Sequence, residues 1–231
     1  MTQCIISIII PVLNEAAIVK STLTQLQQHS GVEIIVVDGG SQDNTVALVQ
    51  QTGVKVITVV GKGRAGQMNA GANAAQGNIL LFLHADTRLP PHFVDLVIQT
   101  LKQPRIVAGA FKLAIEGTDR SLRWVEMIVE MRSRLLSLPY GDQAIFISKL
   151  AFIESGGFAD LPIMEDFEFV RRIKSQGRIA IAPAAVLTSG RRWQKLGVWQ
   201  TTLINQLIIA GFYLGVSPTK LANFYRSQGK Q

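Results

Sequence analysis

Ile79-Leu80-Leu81-Phe82-Leu83 runs apolar into His84-Ala85-Asp86, so a strand-like segment delivers an imidazole and a carboxylate to its own end. In open α/β sheets, ligands bind beyond the carboxyl ends of the strands. A carboxylate there can ligate a metal ion, hold a ribose or do neither. Three other strand-like runs end in polar loops. Pro11-Val12-Leu13-Asn14-Glu15 closes the first, and Asp38-Gly39-Gly40-Ser41-Gln42-Asp43-Asn44-Thr45 the second. The third leads into Gly61 to Gly71, with Lys62, Arg64 and Asn69. These loops put hydrogen-bonding groups, two cations and several carboxylates along one rim. A nucleotide bearing a diphosphate needs such a set. An acid or amide reads the base, a carboxylate holds ribose or metal, and Arg neutralises phosphate.

A competing pattern overlaps this one. Gly61-Lys62-Gly63-Arg64-Ala65-Gly66 fits G-x-G-x-x-G between a strand and a helix, and Asp86 follows Gly66 by 20 residues. That is the dinucleotide-binding fingerprint. On this reading Asp86 is a ribose ligand and the chain an NAD(P)-dependent oxidoreductase. The match is cheap in a chain with 20 glycines, sits on the third strand, and leaves the other acidic groups without work.

The elements that must position these residues alternate. Strands are expected over 4–11, 33–37, 54–60 and 79–83, with helices over 16–29, 43–52 and 65–75 between them. That order predicts a parallel sheet with helices on both faces, and the runs are apolar throughout, as doubly covered strands should be. Further on, helices are expected over 90–101, 121–138 and 165–176, and strands over 107–115, 144–148 and 179–182. On the 121–138 helix Arg132 falls on the apolar face. It either snorkels or pairs with a buried acid, or turns into the site to hold phosphate or acceptor. Residues 196–219 carry no charge. Thr201, Thr202, Asn205 and Gln206 share one side, opposite Trp199, Leu203, Leu207, Ala210 and Leu214. This amphipathic pattern leaves packing on the domain, a dimer partner or a membrane surface open, and disfavours a span.

At 231 residues the chain suits one large domain. An apolar share of 48% against 17% charged residues excludes disorder. The net charge of +7 suits phosphate-bearing partners or anionic lipid, or is a plain basic surface. Without a long Lys/Arg run or an Arg/aromatic platform, nucleic acid is not an expected partner. The single cysteine, Cys4, lies in an apolar run and reads as a buried thiol; no intrachain disulfide can form. No leader segment is evident, so a cytoplasmic location is expected.

In combination, Pro-Val-Leu-Asn-Glu at 11–15, Val-Val-Asp-Gly-Gly-Ser-Gln-Asp-Asn-Thr at 36–45, the Gly/Asn-rich 61–71 stretch and the strand ending at Asp86 resemble glycosyltransferase family 2. The resemblance covers about residues 4–195. It implies an α/β GT-A fold: a Rossmann-like, mostly parallel mixed sheet flanked by helices, with a C-terminal amphipathic or apolar helix. It divides a single domain into a nucleotide-sugar half (1–89), an acceptor and catalytic half (90–195) and a helical tail (196–231). It implies a nucleotide-diphosphate sugar as donor and a carbohydrate or lipid-linked acceptor.

The resemblance also carries residue roles. Pro11, Leu13, Asn14, Glu15, Asp38 and Gly39 would hold base and ribose. Lys62, Arg64 and Asn69 would lie near the nucleotide, with Ala85 and Asp86 at the metal motif. The family's D-x-D motif falls on 84–86, with His84 in place of the first Asp. Asp86 is then the expected ligand of Mn²⁺ or Mg²⁺, and His84 a second one that suits Mn²⁺ better. Met164-Glu165-Asp166-Phe167 matches the family's catalytic pair. Asp166 would take the acceptor's proton, which a hydroxyl gives up near neutrality only to a positioned base; Glu165 would support it. An acid at a helix start can also simply cap it. Arg191-Arg192-Trp193 resembles the tail of a Q-x-x-R-W motif, with Ser189 at the Gln position; the Arg pair would hold the diphosphate and Trp193 the acceptor. Asp142, in Gly141-Asp142-Gln143, either orients an acceptor hydroxyl or is a turn residue. Inverting, metal-assisted glycosyl transfer follows, with an oxidoreductase and a nucleotidyltransferase as alternatives. A homodimer and peripheral contact with the inner membrane face through 196–219 stay open.

Overall fold

The computed structural model describes residues 5–228, less the side chains of residues 134–136 and of Arg192. Cys4 and the side chain of Arg192 therefore lie outside the described part. Among the described residues an eight-stranded sheet runs in the order β3-β2-β1-β4-β7-β6-β8-β5. β1 (Ile6–Val12), β2 (Val32–Asp38), β3 (Lys55–Thr58) and β4 (Ile79–Phe82) are mutually parallel. β7 (Phe146–Ser148) pairs antiparallel with both β4 and β6 (Ile106–Ile115). β6 is parallel to β8 (Arg178–Thr188), and the two-residue β5 (Thr87–Arg88) pairs antiparallel at the far edge.

Alternate side chains on each strand enter opposite cores. Ile8, Ile10, Leu81 and Leu83 join helices α1 (Val19–Leu26), α2 (Thr45–Gln51), α4 (Phe93–Leu101) and α5 (Arg120–Leu136). Ile9, Leu80 and Phe82 face α3 (Gly63–Ala74), α6 (Lys149–Glu154) and α7 (Glu165–Ile173). This period of two is why the strands read as unbroken apolar runs. The chain leaves β1 for β2 on one side and returns to β4 on the other, so a topological switch point opens between the ends of β1 and β4. β3, by contrast, is the edge strand, so the Gly61–Gly66 segment follows an edge strand rather than a strand at the switch. The dinucleotide-binding fingerprint belongs on the first strand at the switch, and here it follows the edge strand instead.

The tail is helical, and one face of its wheel packs on the domain. α8 (Arg191–Leu196) is followed by α9 (Val198–Tyr213) and α10 (Pro218–Gln228), separated at Gly215, whose φ of 77° suits only a residue without Cβ. α9 buries Thr201, Ile204 and Ile208 and turns Trp199, Leu203 and Leu207 to solvent. The more polar stripe is thus half of the packed face, and the apolar stripe is outside. Among the described residues no helix is long and apolar enough to cross a membrane. Ile204, Ile208 and Leu221 form a third cluster with Met164 and Phe167, so the tail props the start of α7.

Candidate active site

The loop after β1 and the loop after β2 are sewn together. Asn14 takes a φ of 57°, which an Asn tolerates. Its amide N–H donates to Ser41 Oγ at 2.9 Å, and its Oδ1 accepts from the Gln42 N–H at 2.8 Å. The Glu15 N–H donates to Thr45 Oγ1 at 2.8 Å. Asp38, almost wholly buried, accepts from the N–H groups of Gly40 and Ser41 at 2.9 and 3.2 Å. Its carboxylate shapes the turn that a ligand would meet. Gln67, on the inner face of α3, donates to Val12 O at 2.9 Å and Val37 O at 2.7 Å, tying both strand ends to one helix. Gly39 lies against that amide: a Cβ there would sit 3.1 Å from Gln67 Nε2.

Across the crevice, α7 begins at Met164, which is buried with a φ of 68°. Holding a non-Gly residue there costs about 1–3 kcal/mol, which the packing of Phe167 offsets. The strained start sets the next two carboxylates apart. Glu165, 2% exposed, pairs with Arg64 Nε. Asp166 accepts from the Gly141 N–H at 2.7 Å through Oδ2 and from the Phe167 N–H at 2.8 Å through Oδ1. Burial pushes the Glu165 carboxyl above its ordinary range, and Arg64 offsets part of this. Burial works against the Arg64 cation, yet Glu165 and Asp166 hold it protonated.

Arg64 Nη1 also lies 3.3 Å from His84 Nε2. Burial first, and Arg64 second, lower the His84 pKa to about 4, so the imidazole is neutral at pH 7. Facing a guanidinium, Nε2 accepts and the proton sits on Nδ1. The lone pair expected for a metal is therefore directed at a fixed positive charge. A cavity of about 10 Å³, room for roughly one water, lies among Pro11, Arg64, His84, Gly141 and Asp166.

Asp86 is engaged differently. Arg191 Nη2 lies 3.2 Å from Asp86 Oδ2 and 3.5 Å from Glu15 Oε2. Burial works against the Arg191 cation, while the two carboxylates raise its pKa. Burial also raises Glu15, with Arg191 acting the other way. Among the described residues no three His, Cys, Asp or Glu side chains converge as a metal nest. Asp86 and Glu15 nonetheless offer oxygen donors around one cationic head. That set fits a hard cation held by one or two carboxylates together with substrate phosphates.

Other expected residues take scaffold positions. Asn69 exchanges hydrogen bonds with the Phe158 backbone, 2.8 Å from its Nδ2 and 2.9 Å to its Oδ1. Ala85 is buried, and its carbonyl accepts from Thr22 Oγ1 at 2.7 Å. Leu13 is exposed, and Lys62 caps α3 at the rim. Trp193 packs beside the first core, with its buried Nε1 unpartnered. The sequence reading overlooked Gln67. The signal available was an amide placed three residues after Arg64, on the sheet-facing side of a helix rich in Gly and Ala.

A mixed sheet with its switch between β1 and β4, and an acid-bearing helix facing that switch, gives the GT-A fold. The chain belongs to glycosyl transferase family 2, whose model matches residues 7–159. Among curated relatives, an uncharacterised glycosyltransferase of Nostoc sp. is 31% identical over 51% of this chain and 39% of its own length. An undecaprenyl-phosphate 4-deoxy-4-formamido-L-arabinose transferase of Aeromonas hydrophila is 28% identical over 47% of this chain and 37% of its own. The chain thus spans about two fifths of the length of these relatives. Among solved structures, S. aureus TarS 1-349 in complex with UDP-GlcNAc aligns with a TM-score of 0.66 at 17% identity, over 80% of this chain and 58% of its own. The Pyrobaculum calidifontis mannosyltransferase in complex with GDP-Man and Mn²⁺ aligns at 0.62 and 18%, over 79% and 56%. At these identities the structures bear on fold alone.

Proposed function

We propose that the chain transfers a glycosyl group from a nucleotide-diphosphate sugar to an acceptor hydroxyl, with inversion at the anomeric carbon. The observation that carries this reading is the pairing of Asp166, fixed by the Gly141 N–H, with a cationic wall of Arg64 and Arg191 at the same crevice. The acceptor oxygen attacks the anomeric carbon as the bond to the diphosphate breaks, and the hydroxyl proton passes to Asp166. Negative charge grows on the departing diphosphate, where fixed cations stabilise it most. Arg64 supplies one such charge, oriented by Glu165; Arg191 supplies another, oriented by Asp86 and Glu15. Where a divalent cation binds, Asp86 with Glu15 would hold it and release Arg191 to the phosphates, and the ion would neutralise phosphate charge. The complexes of TarS with UDP-GlcNAc and of the mannosyltransferase with GDP-Man and Mn²⁺ support a sugar nucleotide and a metal here. The exposed apolar side chains of α5 and α9 support work beside a membrane, on a carbohydrate or lipid-linked acceptor.

The test is nucleoside-diphosphate release from a panel of UDP-, GDP- and ADP-sugars, with Mn²⁺, Mg²⁺ or chelator. Release from one donor that Asp166→Asn reduces by at least a hundredfold, with binding of the nucleotide kept, is the expected result. Pyrophosphate release from a nucleoside triphosphate instead identifies a nucleotidyltransferase. Stabilisation by NADH alone overturns the reading.

A further inference from the structure

We propose that Arg132, Tyr140 and Asp142 form the acceptor subsite, and that it selects a neutral hydroxyl compound over a phosphorylated one. The proposal rests on the transferase reading and names the substrate class of its second site.

The subsite adjoins the base through one turn. Gly141–Gln143 forms a single 3₁₀ turn, whose first N–H binds Asp166 Oδ2. The turn is pinned from below. Buried Gln143 donates to Phe111 O at 2.9 Å, and its Oε1 accepts from Ser133 Oγ at 2.9 Å and the Tyr140 N–H at 3.1 Å. Such anchoring fixes the backbone on either side of Asp142. Yet the Asp142 Oδ1 atom itself is buried and has no hydrogen-bond partner. A buried carboxylate oxygen without a donor is costly, and natural folds keep one chiefly where a ligand supplies the donor. A hydroxyl is such a donor; a phosphate dianion is not.

The charges around it point the same way. Asp142 feels Arg132, Asp166 and Arg64. Arg132 is already committed: its guanidinium lies 3.4 Å from the Tyr140 ring centroid, and Nε donates to Leu138 O at 3.2 Å. Nη2 reaches Gln143 Oε1 at 3.4 Å. A guanidinium stacked on a ring and turned to backbone and amide oxygens balances Asp142 and is drawn away from an incoming phosphate. Arg64 is held by Glu165 and, on the transferase reading, serves the donor's diphosphate rather than the acceptor. An anionic acceptor would thus enter beside two carboxylates, Asp142 and Asp166, with both nearby cations engaged. Burial pushes the Asp142 carboxyl up to about 6, so it is still largely ionised at neutral pH and accepts from a hydroxyl.

The experiment uses the full chain and the donor identified above. Nucleoside-diphosphate release is measured with matched acceptor pairs: glycerol and glycerol 3-phosphate, glucose and glucose 6-phosphate, and a short-chain diacylglycerol and its phosphatidic acid. The neutral member of at least one pair should stimulate release at least tenfold more than its phosphorylated partner. Asp142→Asn should lower the ratio of stimulated to acceptor-independent release at least tenfold, through the KM for acceptor more than through kcat. Preference for the phosphorylated members, stimulation by no neutral member, or an unchanged ratio in Asp142→Asn overturns the proposal. The wild-type comparison stands even where the variant folds poorly. Release without discrimination defeats only the acceptor assignment; no release from any sugar nucleotide defeats the transferase reading itself.

Discussion

Arg191 sits between Asp86 and Glu15, 3.2 Å from one carboxylate and 3.5 Å from the other, and so places at the crevice a cation held by two acids. All three side chains are partly exposed, Arg191 the most. Pairs of this kind contribute about 0–1 kcal/mol to stability. Their arrangement is better explained by the ligand. Arg191→Ala should therefore move the melting temperature by no more than about 3 °C. It should weaken binding of UDP or GDP by about tenfold, since one charged hydrogen bond to phosphate is lost. Calorimetric titration beside thermal unfolding separates the two effects. A large loss of stability with unchanged nucleotide affinity would reverse the assignment.

Gly141 is required by its neighbours rather than by its backbone angles. A Cβ there would fall 2.8 Å from Asp166 Oδ2 and 3.3 Å from His84 Nε2. Gly141→Ala must displace the carboxylate that the Gly141 N–H now holds. A shift of about 1 Å at a reacting group can cost about a hundredfold in rate. We expect such a fall in kcat, with a much smaller change in donor affinity. Steady-state kinetics with the identified sugar nucleotide checks this, and wild-type kcat in Gly141→Ala would show that Asp166 is not the base.

How far the sequence carries can be read from particular residues. The β1–β4 order and the two-sided cores were legible because Ile8/Ile10 and Ile9 alternate within unbroken apolar runs. The pairing of Glu165 with Arg64 was not. It joins residues whose separation in the chain is 101, across the crevice, and only the closed sheet brings them together. Asn69 looked like a ligand group for the same reason that it is a good brace: an amide both donates and accepts, and here Phe158 satisfies both. On α9 the helical wheel separated two faces but left open which of them packs on the domain. Thr201 can be buried there beside Ile204 and Ile208, while Leu203 and Leu207 remain outside. The short β5 and α6 escaped notice, since a two-residue strand and a six-residue helix carry too little periodicity to register.

Asp142 links stability to acceptor binding with opposite signs. Its folded pKa is raised from 3.8 to about 6 by burial, so ionising it costs the native state more than the unfolded chain. That penalty is fully present above pH 6, shrinks as pH falls through 6, and is gone below the unfolded value. Asp142→Asn removes it. About two pKa units correspond to at most about 3 kcal/mol, so the variant should melt several degrees above the wild type at pH 7.5, and the gain should vanish near pH 4. Thermal unfolding of both proteins across pH 4–8 tests this. Equal melting temperatures at every pH would mean that Asp142 is solvated.

The outward faces of α5 and α9 call for a partner. Trp124, Met127 and Met131 on α5, and Trp199, Leu203 and Leu207 on α9, are each at least half exposed, and the two helices pack side by side. Single exposed apolar residues are ordinary, but six on adjacent helices, two of them Trp, suit the headgroup region of a bilayer. The net charge of +7 favours an anionic surface. Wild-type protein should co-sediment with vesicles containing phosphatidylglycerol, less so at high salt. Replacing Leu203 and Leu207 together by Glu should weaken that binding by about thirtyfold, because about 2 kcal/mol of apolar burial is withdrawn. Neither residue is buried in the fold, so the variant should unfold within about 0.5 kcal/mol of the wild type. If vesicles take up neither protein, and the substitutions instead convert a sedimenting dimer to monomer, the face joins two copies of the chain. The apolar stripe of α9 is then a subunit contact rather than a membrane one.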